Sequence, residues 1–173
     1  MTPSAWRQGG AGVTIHYALA DTVLGRMLLA ATERGICRLS FDEDVEALAK
    51  RFPNAKLEEG GGMLTALVAG AVEACAKPGN MPDLPLDIAG TAFQQAVWRE
   101  LARVPAGETV SYAALAVRAG NAGAVRAAGS ACGANQVAVL IPCHRAVRSD
   151  GALGGYAYGL ERKRELLRRE AMA

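Results

Sequence analysis

No apolar run in the chain approaches the ~20 residues that a membrane-spanning helix needs, and no signal-peptide pattern opens it. The four cysteines, Cys37, Cys75, Cys132 and Cys143, show no paired or framework spacing. A chain of 173 residues can hold a core without disulfides. No C-x-x-C occurs, and the only two histidines, His16 and His144, lie far apart in sequence, so the usual zinc sites are excluded and no metal is expected. Together these absences predict a protein with reduced thiols, no membrane association and a cytosolic location. The composition is not that of a disordered or fibrous chain either: 51% of residues are hydrophobic and 21% charged, which suits one or two compact domains.

The net charge of +2 conceals an imbalance. Residues 1–90 carry 8 Lys+Arg against 11 Asp+Glu, and residues 91–173 carry 11 against 6, so the halves stand at −3 and +5. The basic half is the better candidate for a polyanionic partner.

Residues 1–12 are small, polar and Gly-rich and read as a flexible leader. Val13, Ile15, Tyr17 and Leu19 alternate in the manner of a strand, and strand-like runs follow at 26–32 and 36–41, separated by Glu33-Arg34-Gly35: a three-stranded meander. Asp42-Glu43-Asp44 then places negative charge at a helix start, with Val45, Leu48, Ala49 and Phe52 as the inward stripe and Pro53 as the stop. A second helix is predicted over 63–75, with Leu64, Leu67, Val68, Ala71 and Val72 facing inward and Cys75 among them as a core residue. Lys77-Pro78-Gly79-Asn80-Met81-Pro82-Asp83 is the clearest linker, so a first domain is expected over 13–83 and a second over 84–173.

Thr91-Ala92-Phe93-Gln94 fits a capping box, and Phe93, Val97, Trp98 and Leu101 continue it as a helical face. Ser111 caps a short helix, Gly120-Asn121 makes a turn, and a third helix is expected over 123–133. Two short helices joined by a tight turn outline a helix-turn-helix. The second helix offers Ala127, Ala128 and Gly129 and almost no base-reading side chain except Arg126. That composition suits either a shape-based entry into the minor groove or a tight helix–helix interface.

Residues 137–141 form a continuous apolar run that reads as a buried strand and delivers Pro142-Cys143-His144-Arg145. A thiolate is the nucleophilic form of cysteine, and the nearby cations His144, Arg145 and Arg148 are expected to lower the Cys143 pKa toward neutrality. Neighbours in a strand point to opposite faces, so His144 is expected to act on Cys143 through a water rather than directly, with a carboxylate orienting its ring. Spacing leaves Glu161, Glu165 and Glu170 equally eligible.

Ile141-Pro142-Cys143-His144-Arg145, with Gly133-Ala134-Asn135 before it and Gly155-Tyr156 after it, resembles the active-site signature of the O6-alkylguanine-DNA alkyltransferases. The resemblance runs from Gly90-Thr91-Ala92-Phe93 through Leu166-Leu167-Arg168-Arg169-Glu170. The first half, in Tyr17-Ala18-Leu19-Ala20-Asp21 and Glu33-Arg34-Gly35-Ile36-Cys37, is more loosely similar to bacterial adaptive-response (Ada-type) and Ogt-like enzymes. The resemblance implies an α+β protein: a small ribonuclease-H-like α/β domain, then a helical domain with a winged-helix-like helix-turn-helix. It implies a cofactor-free, single-turnover methyltransferase of DNA repair, a bacterial cytosolic monomer working on the minor groove of double-stranded DNA without sequence preference. The alkyl group passes from O6-alkylguanine, and from O4-alkylthymine, to the protein's own cysteine after the nucleotide is flipped out.

Residue by residue, the resemblance makes Cys143 the acceptor, His144 its base and Glu170 the orienting carboxylate. It makes Asn135 the hinge supporting the Cys loop, Tyr112 a proton donor crowding the target phosphate, and Arg126 the finger filling the gap in the base stack. Ala127, Ala128 and Gly129 line the DNA-facing helix, and Val147, Tyr156, Ala157 and Tyr158 border the guanine pocket. Ala138, Ala157 and Tyr158 stand where the mammalian pattern has Pro, Ser and Gly. The lost Ser hydroxyl leaves the backbone N–H to meet the guanine oxygen, and Tyr158 is expected to narrow the pocket, favouring methyl over benzyl adducts. The alternatives are a non-catalytic lesion sensor, which the presence of Cys143 opposes, and a regulatory helix-turn-helix protein, which the bland second helix opposes. A thiol hydrolase is the poorest fit, because Cys143 and His144 are adjacent and no oxyanion motif is evident.

Overall fold

Thr2 accepts from the Ala5 amide at 3.1 Å and Pro3 follows, where its missing N–H costs nothing, so a short helix α1 (Pro3–Arg7) opens the chain. The expected flexible leader is therefore ordered. Trp6 sets its ring edge-on to Phe52, centroids 5.3 Å apart, and the Asn54 amide donates to the Gly9 carbonyl. The single large aromatic supplies the anchoring that the small, polar neighbours disguised. The computed structural model describes residues 1–79 and 82–172; Asn80 and Met81 of the expected linker, and Ala173 at the end of the expected second domain, lie outside them. The chain forms two units, Met1–Ala76 with Met81–Ala89 and Lys77–Asn80 with Gly90–Ala173.

In the first unit β1 (Thr14–Thr22), β2 (Gly25–Thr32) and β3 (Gly35–Phe41) make the predicted antiparallel meander. The helix α2 (Val45–Arg51) is capped by Asp44, which accepts from the Ala47 amide at 3.0 Å. Leu48 and Phe52 are buried, whereas Val45 and Ala49 of the expected stripe face solvent, because a helix of about two turns presents only about one residue per turn to the sheet. A fourth strand, β4 (Lys56–Glu59), was not foreseen; it pairs parallel to β1, with Ile15 opposite Leu57. The order is β3-β2-β1-β4. One core cluster joins Ile15, Leu28, Ala30, Cys37, Leu48 and Phe52, and α3 (Leu64–Ala76) packs on β1 and β2. Of the stripe expected on α3, Leu64, Leu67 and Ala71 are buried and Val68 and Val72 half-buried. The outer edge of β3 is covered by residues 85–87: Ile36 donates to the Pro85 carbonyl at 2.8 Å. Gly35 permits this approach, since a Cβ there would lie 2.6 Å from the Pro85 backbone.

The second unit is helical. The capping box forms as expected: Thr91 accepts from the Gln94 amide at 3.1 Å while Gln94 accepts from the Thr91 amide at 2.9 Å, starting α4 (Ala92–Arg103). Next come β5 (Val110–Ser111), α5 (Tyr112–Arg118), capped by Ser111, and α6 (Val125–Gly133). The helices α5 and α6 pack on each other and on α4, and the buried Trp98 indole donates to the Ala131 carbonyl at 2.8 Å. A 3₁₀ turn (Cys143–Arg145), a short strand β6 (Ala146–Val147) parallel to β5, and α7 (Leu160–Ala171) complete the unit.

The expected strand at 137–141 is a turn. Val139 has φ +69, a left-handed conformation rare for a β-branched residue that costs roughly 1–3 kcal/mol. The Asn135 side chain holds the turn closed, accepting from the Val137 amide at 3.0 Å and donating to the Ile141 carbonyl at 2.8 Å.

A candidate thiol site in the helix-turn-helix unit

Asn135, which leads into this turn, also reaches the sulfur of Cys143. Its amide nitrogen, already bonded to Ile141, lies 3.2 Å from Cys143 Sγ and donates to it as well. Cys143 N donates to the same Ile141 carbonyl at 2.8 Å, so one side chain fixes both the backbone and the sulfur. Cys143 is 8% exposed at the start of the 3₁₀ turn.

His144 is fully buried, its Nε2 2.6 Å from Glu170 Oε1. With Nε2 donating to the carboxylate, Nδ1 carries the lone pair, and it has no protein partner among the described residues. Arg145 is buried too and commits its guanidinium to Glu170 at 2.8–3.0 Å, the Val104 carbonyl at 2.6 Å and the Pro78 carbonyl at 3.3 Å. Burial alone would raise the Glu170 pKa, but hydrogen bonds from His144 and Arg145 outweigh it and hold the carboxyl below its usual range. Burial pushes the His144 conjugate acid down, only partly opposed by Glu170, so the ring is held neutral.

The expected lowering of the Cys143 pKa is not found. Burial raises it, and the Asn135 hydrogen bond and the Lys163 ammonium only partly offset that. Arg145 is spent on Glu170, and Arg148 is exposed, acting on the Tyr112 hydroxyl instead. The adjacency argument also changes its basis: Cys143 and His144 share a 3₁₀ turn rather than a strand, yet no bond joins their side chains because His144 points Nε2 at Glu170.

Lys163 was missed in the sequence, although Lys163, Leu166 and Glu170 repeat at the spacing of one helical face. It is fully buried, and its ammonium donates to the carbonyls of Ala146 (2.6 Å), Leu153 and Gly155 (3.1 Å) and sits 5.8 Å from the Tyr112 ring centre. Arg162 donates to the Tyr158 carbonyl at 3.1 Å. The segment carrying Tyr156, Ala157 and Tyr158 is thus fastened to the first turn of α7. Tyr156 and Tyr158 meet edge to face with centroids 5.8 Å apart, Ala157 is exposed, and Val147 is half-buried on β6. Gly154, φ +72, passes so close to Tyr112 that a Cβ there would lie 2.9 Å from the phenol oxygen. Tyr112 is half-buried, and burial raises its pKa, with Cys132 and Cys143 adding to the effect.

On α6, Arg126 and Ala127 are exposed and Gly129 half-buried. Ala128 is fully buried, so its expected place on a DNA-facing surface is corrected: it lies on the face that packs inward. No helix among the described residues is long and apolar enough to cross a membrane.

The second unit thus combines a buried thiol that has its own hydrogen-bond donor, a neutral histidine oriented by a carboxylate, and an exposed face on the second helix of a helix-turn-helix. Residues 15–97 match the ribonuclease-like domain of 6-O-methylguanine DNA methyltransferase, and residues 92–172 match its DNA binding domain. The methylated-DNA–protein-cysteine methyltransferase of Methanosarcina barkeri is 38% identical over 160 residues, covering 90% of this chain and 97% of that protein. The regulatory protein Ada of Salmonella typhimurium is 50% identical over 175 residues, covering 99% of this chain and 50% of that protein; the chain therefore spans about half the length of this relative. The crystal structure of Mycobacterium tuberculosis OGT in complex with DNA superposes with a TM-score of 0.77 at 34% identity, covering 91% of this chain and 93% of that one. The chain belongs to the O6-alkylguanine-DNA alkyltransferase family, and its α+β fold is that of the family.

Proposed function

We propose that this protein repairs alkylated DNA by taking the alkyl group of O6-alkylguanine onto Cys143, irreversibly and once per molecule. The observation that carries this reading is the contact of Asn135 with Cys143 Sγ at 3.2 Å beside the His144–Glu170 pair at 2.6 Å. It rests equally on the relatives' names.

The target carbon cannot be reached in line within a stacked duplex, so the nucleotide is flipped out, at a cost of a few kcal/mol. Arg126, exposed on α6, fills the gap and brings a positive charge near phosphates. Burial keeps Cys143 a thiol until substrate arrives. Its proton then passes through a water to Nδ1 of His144, and Glu170 stabilises the imidazolium that forms. The Sγ–C bond forms as the O6–C bond breaks. Tyr112, kept protonated by its raised pKa, gives a proton to the departing guanine anion. Tyr158, lying against Tyr156, narrows the pocket so that methyl adducts react faster than benzyl ones. The location we assign is the cytosol, where thiols stay reduced.

A duplex carrying labelled O6-methylguanine tests this reading. Label on the Cys143 peptide, absent from a Cys143→Ala variant that still binds DNA, is the expected result. Release of the label as methanol would mean hydrolysis, and no loss of label from DNA would leave a lesion-binding protein.

A further inference from the structure

The parallel pairing of β5 with β6 sets Val110 against Ala146 and Ser111 against Val147, so the next residues on the two sides are Tyr112, which opens α5, and Arg148. Residues 148–152 then reverse the chain as an exposed turn. Arg148 N donates to the Ala152 carbonyl at 2.9 Å, and the Gly151 amide donates to the Arg148 carbonyl at 3.0 Å, with Gly151 left-handed at φ +85. Both backbone polar groups of Arg148 are thus spent inside the turn. Asp150, the one carboxylate of the turn, accepts from the Ala152 amide at 2.9 Å and is not bonded to Arg148. The Arg148 side chain makes no hydrogen bond or ion pair among the described residues. Arg103, Arg168 and Arg169, by contrast, pair with Glu100 or Glu165 on their own helices. A cation held out by a fixed turn, with no partner in its own chain, fits an anion supplied from outside. Tyr112 relates this arginine to Arg126. A Cβ on Gly129 would lie 4.0 Å from Tyr112 Cδ1, and one on Gly154 would lie 2.9 Å from Cε2 at the opposite edge of the ring. Arg126 stands three residues before Gly129, on the same face of α6. Two elements beside Tyr112 therefore each present an exposed arginine. The Arg148 charge also acts on the Tyr112 hydroxyl, against the rise that burial causes.

We propose that Arg148 is a DNA-backbone contact, its guanidinium taking one phosphate of the lesion strand beside Tyr112. The inference rests on the repair function proposed for Cys143 and adds a second anchor whose task differs from that of Arg126. A phosphate offers the planar guanidinium two oxygens at once. Ser149, Gly151 and Ala152, the neighbours of Arg148 in the turn, give little with which to read a base edge, so the contact carries no sequence preference. Arg126 occupies the space that the flipped base leaves, whereas a phosphate held by Arg148 fixes where the strand lies over the pocket.

The test measures binding of the whole chain to an O6-methylguanine duplex by fluorescence anisotropy, from about 50 to 200 mM salt. Removing one phosphate contact makes the slope of log K against log salt shallower by about 0.9, so Arg148→Gln should lose about 3.5-fold less affinity over that range than the unaltered protein. Arg148→Lys should keep the slope, because it keeps the charge. Duplexes with a single uncharged methylphosphonate, set in turn at each phosphate around the lesion, locate the partner. One of them should weaken the unaltered protein and leave Arg148→Gln unaffected. An unchanged slope in Arg148→Gln overturns the proposal. So does a shallower slope with no phosphate coupled to Arg148, which would mark a general field effect. Methyl transfer is followed on the same duplexes. Binding without transfer would defeat the repair reading, while the two binding measurements still decide the role of Arg148; absence of any binding would overturn both.

Discussion

Both units bury thiols, and Cys132 of the helical unit, pushed up to about 12, behaves like those of the sheet unit; Cys143 is set in different surroundings. In the sheet unit Cys37 and Cys75 are fully buried, Cys37 in the cluster with Ile15, Leu28 and Phe52, and burial pushes both up to about 12. There a thiol is one more small hydrophobe. Cys143 is almost as buried, but an amide donor touches its sulfur, the positive charge of Lys163 works against the rise that burial causes, and a neutral imidazole follows in the same turn. Burial is therefore not what sets Cys143 apart from the other three thiols. The difference lies in the donors and cations built around it, and in the 137–141 turn that sets the sulfur beside Asn135.

The contrast breaks outright if the wrong thiol matters. Cys143→Ala should abolish methyl transfer altogether, while Cys37→Ala and Cys75→Ala should transfer normally and lose only roughly 1 kcal/mol in urea denaturation. Next in size is Glu170→Gln, which leaves the Arg145 guanidinium buried without its counter-charge; urea denaturation should show a loss of about 3–5 kcal/mol. Arg126→Ala probes the exposed face rather than the core. Transfer from duplex DNA should slow about tenfold, the equivalent of about 1.4 kcal/mol, with a smaller effect on single strands, where less stacking is broken. Equal slowing on both would remove Arg126 from the flipping step.

The smallest effect is a gradual one with pH. His144 is held neutral in the fold but protonates near roughly 6.5 when unfolded, so the unfolded chain binds more protons and stability falls as pH drops below that value. The contribution of Glu170, whose pKa is lowered, is complete above about 4.3 and is lost as pH falls through its folded value. The thermal midpoint should thus decline from pH 7 toward pH 4, and a rise over that range would contradict these assignments.

Much of this was legible in the residues. Alternation marked the meander, and Thr91 with Gln94 marked the start of α4, because those signals are local. Cys143 stood out from its cationic neighbours, but for a reason the fold revises: Arg145 serves Glu170, and the charge near the sulfur comes from Lys163, 20 residues away in sequence. The apolar run at 137–141 reads as a strand because periodicity does not register Asn135, whose side chain closes the turn. Ala128 went to the wrong face because a helix of alanines and glycines has no periodic contrast to orient it. The strand β4 is four residues of mixed polarity, visible only through its pairing with β1.

The central claim is that one thiol of four is a consumable acceptor. Titrating the protein with increasing O6-methylguanine duplex and weighing the intact protein tests it most directly. Each molecule should gain a single methyl group, located on Cys143, and repaired guanine should never exceed the protein present. Repair that continues beyond one equivalent, or a methyl group found on Cys37, Cys75 or Cys132, would contradict it.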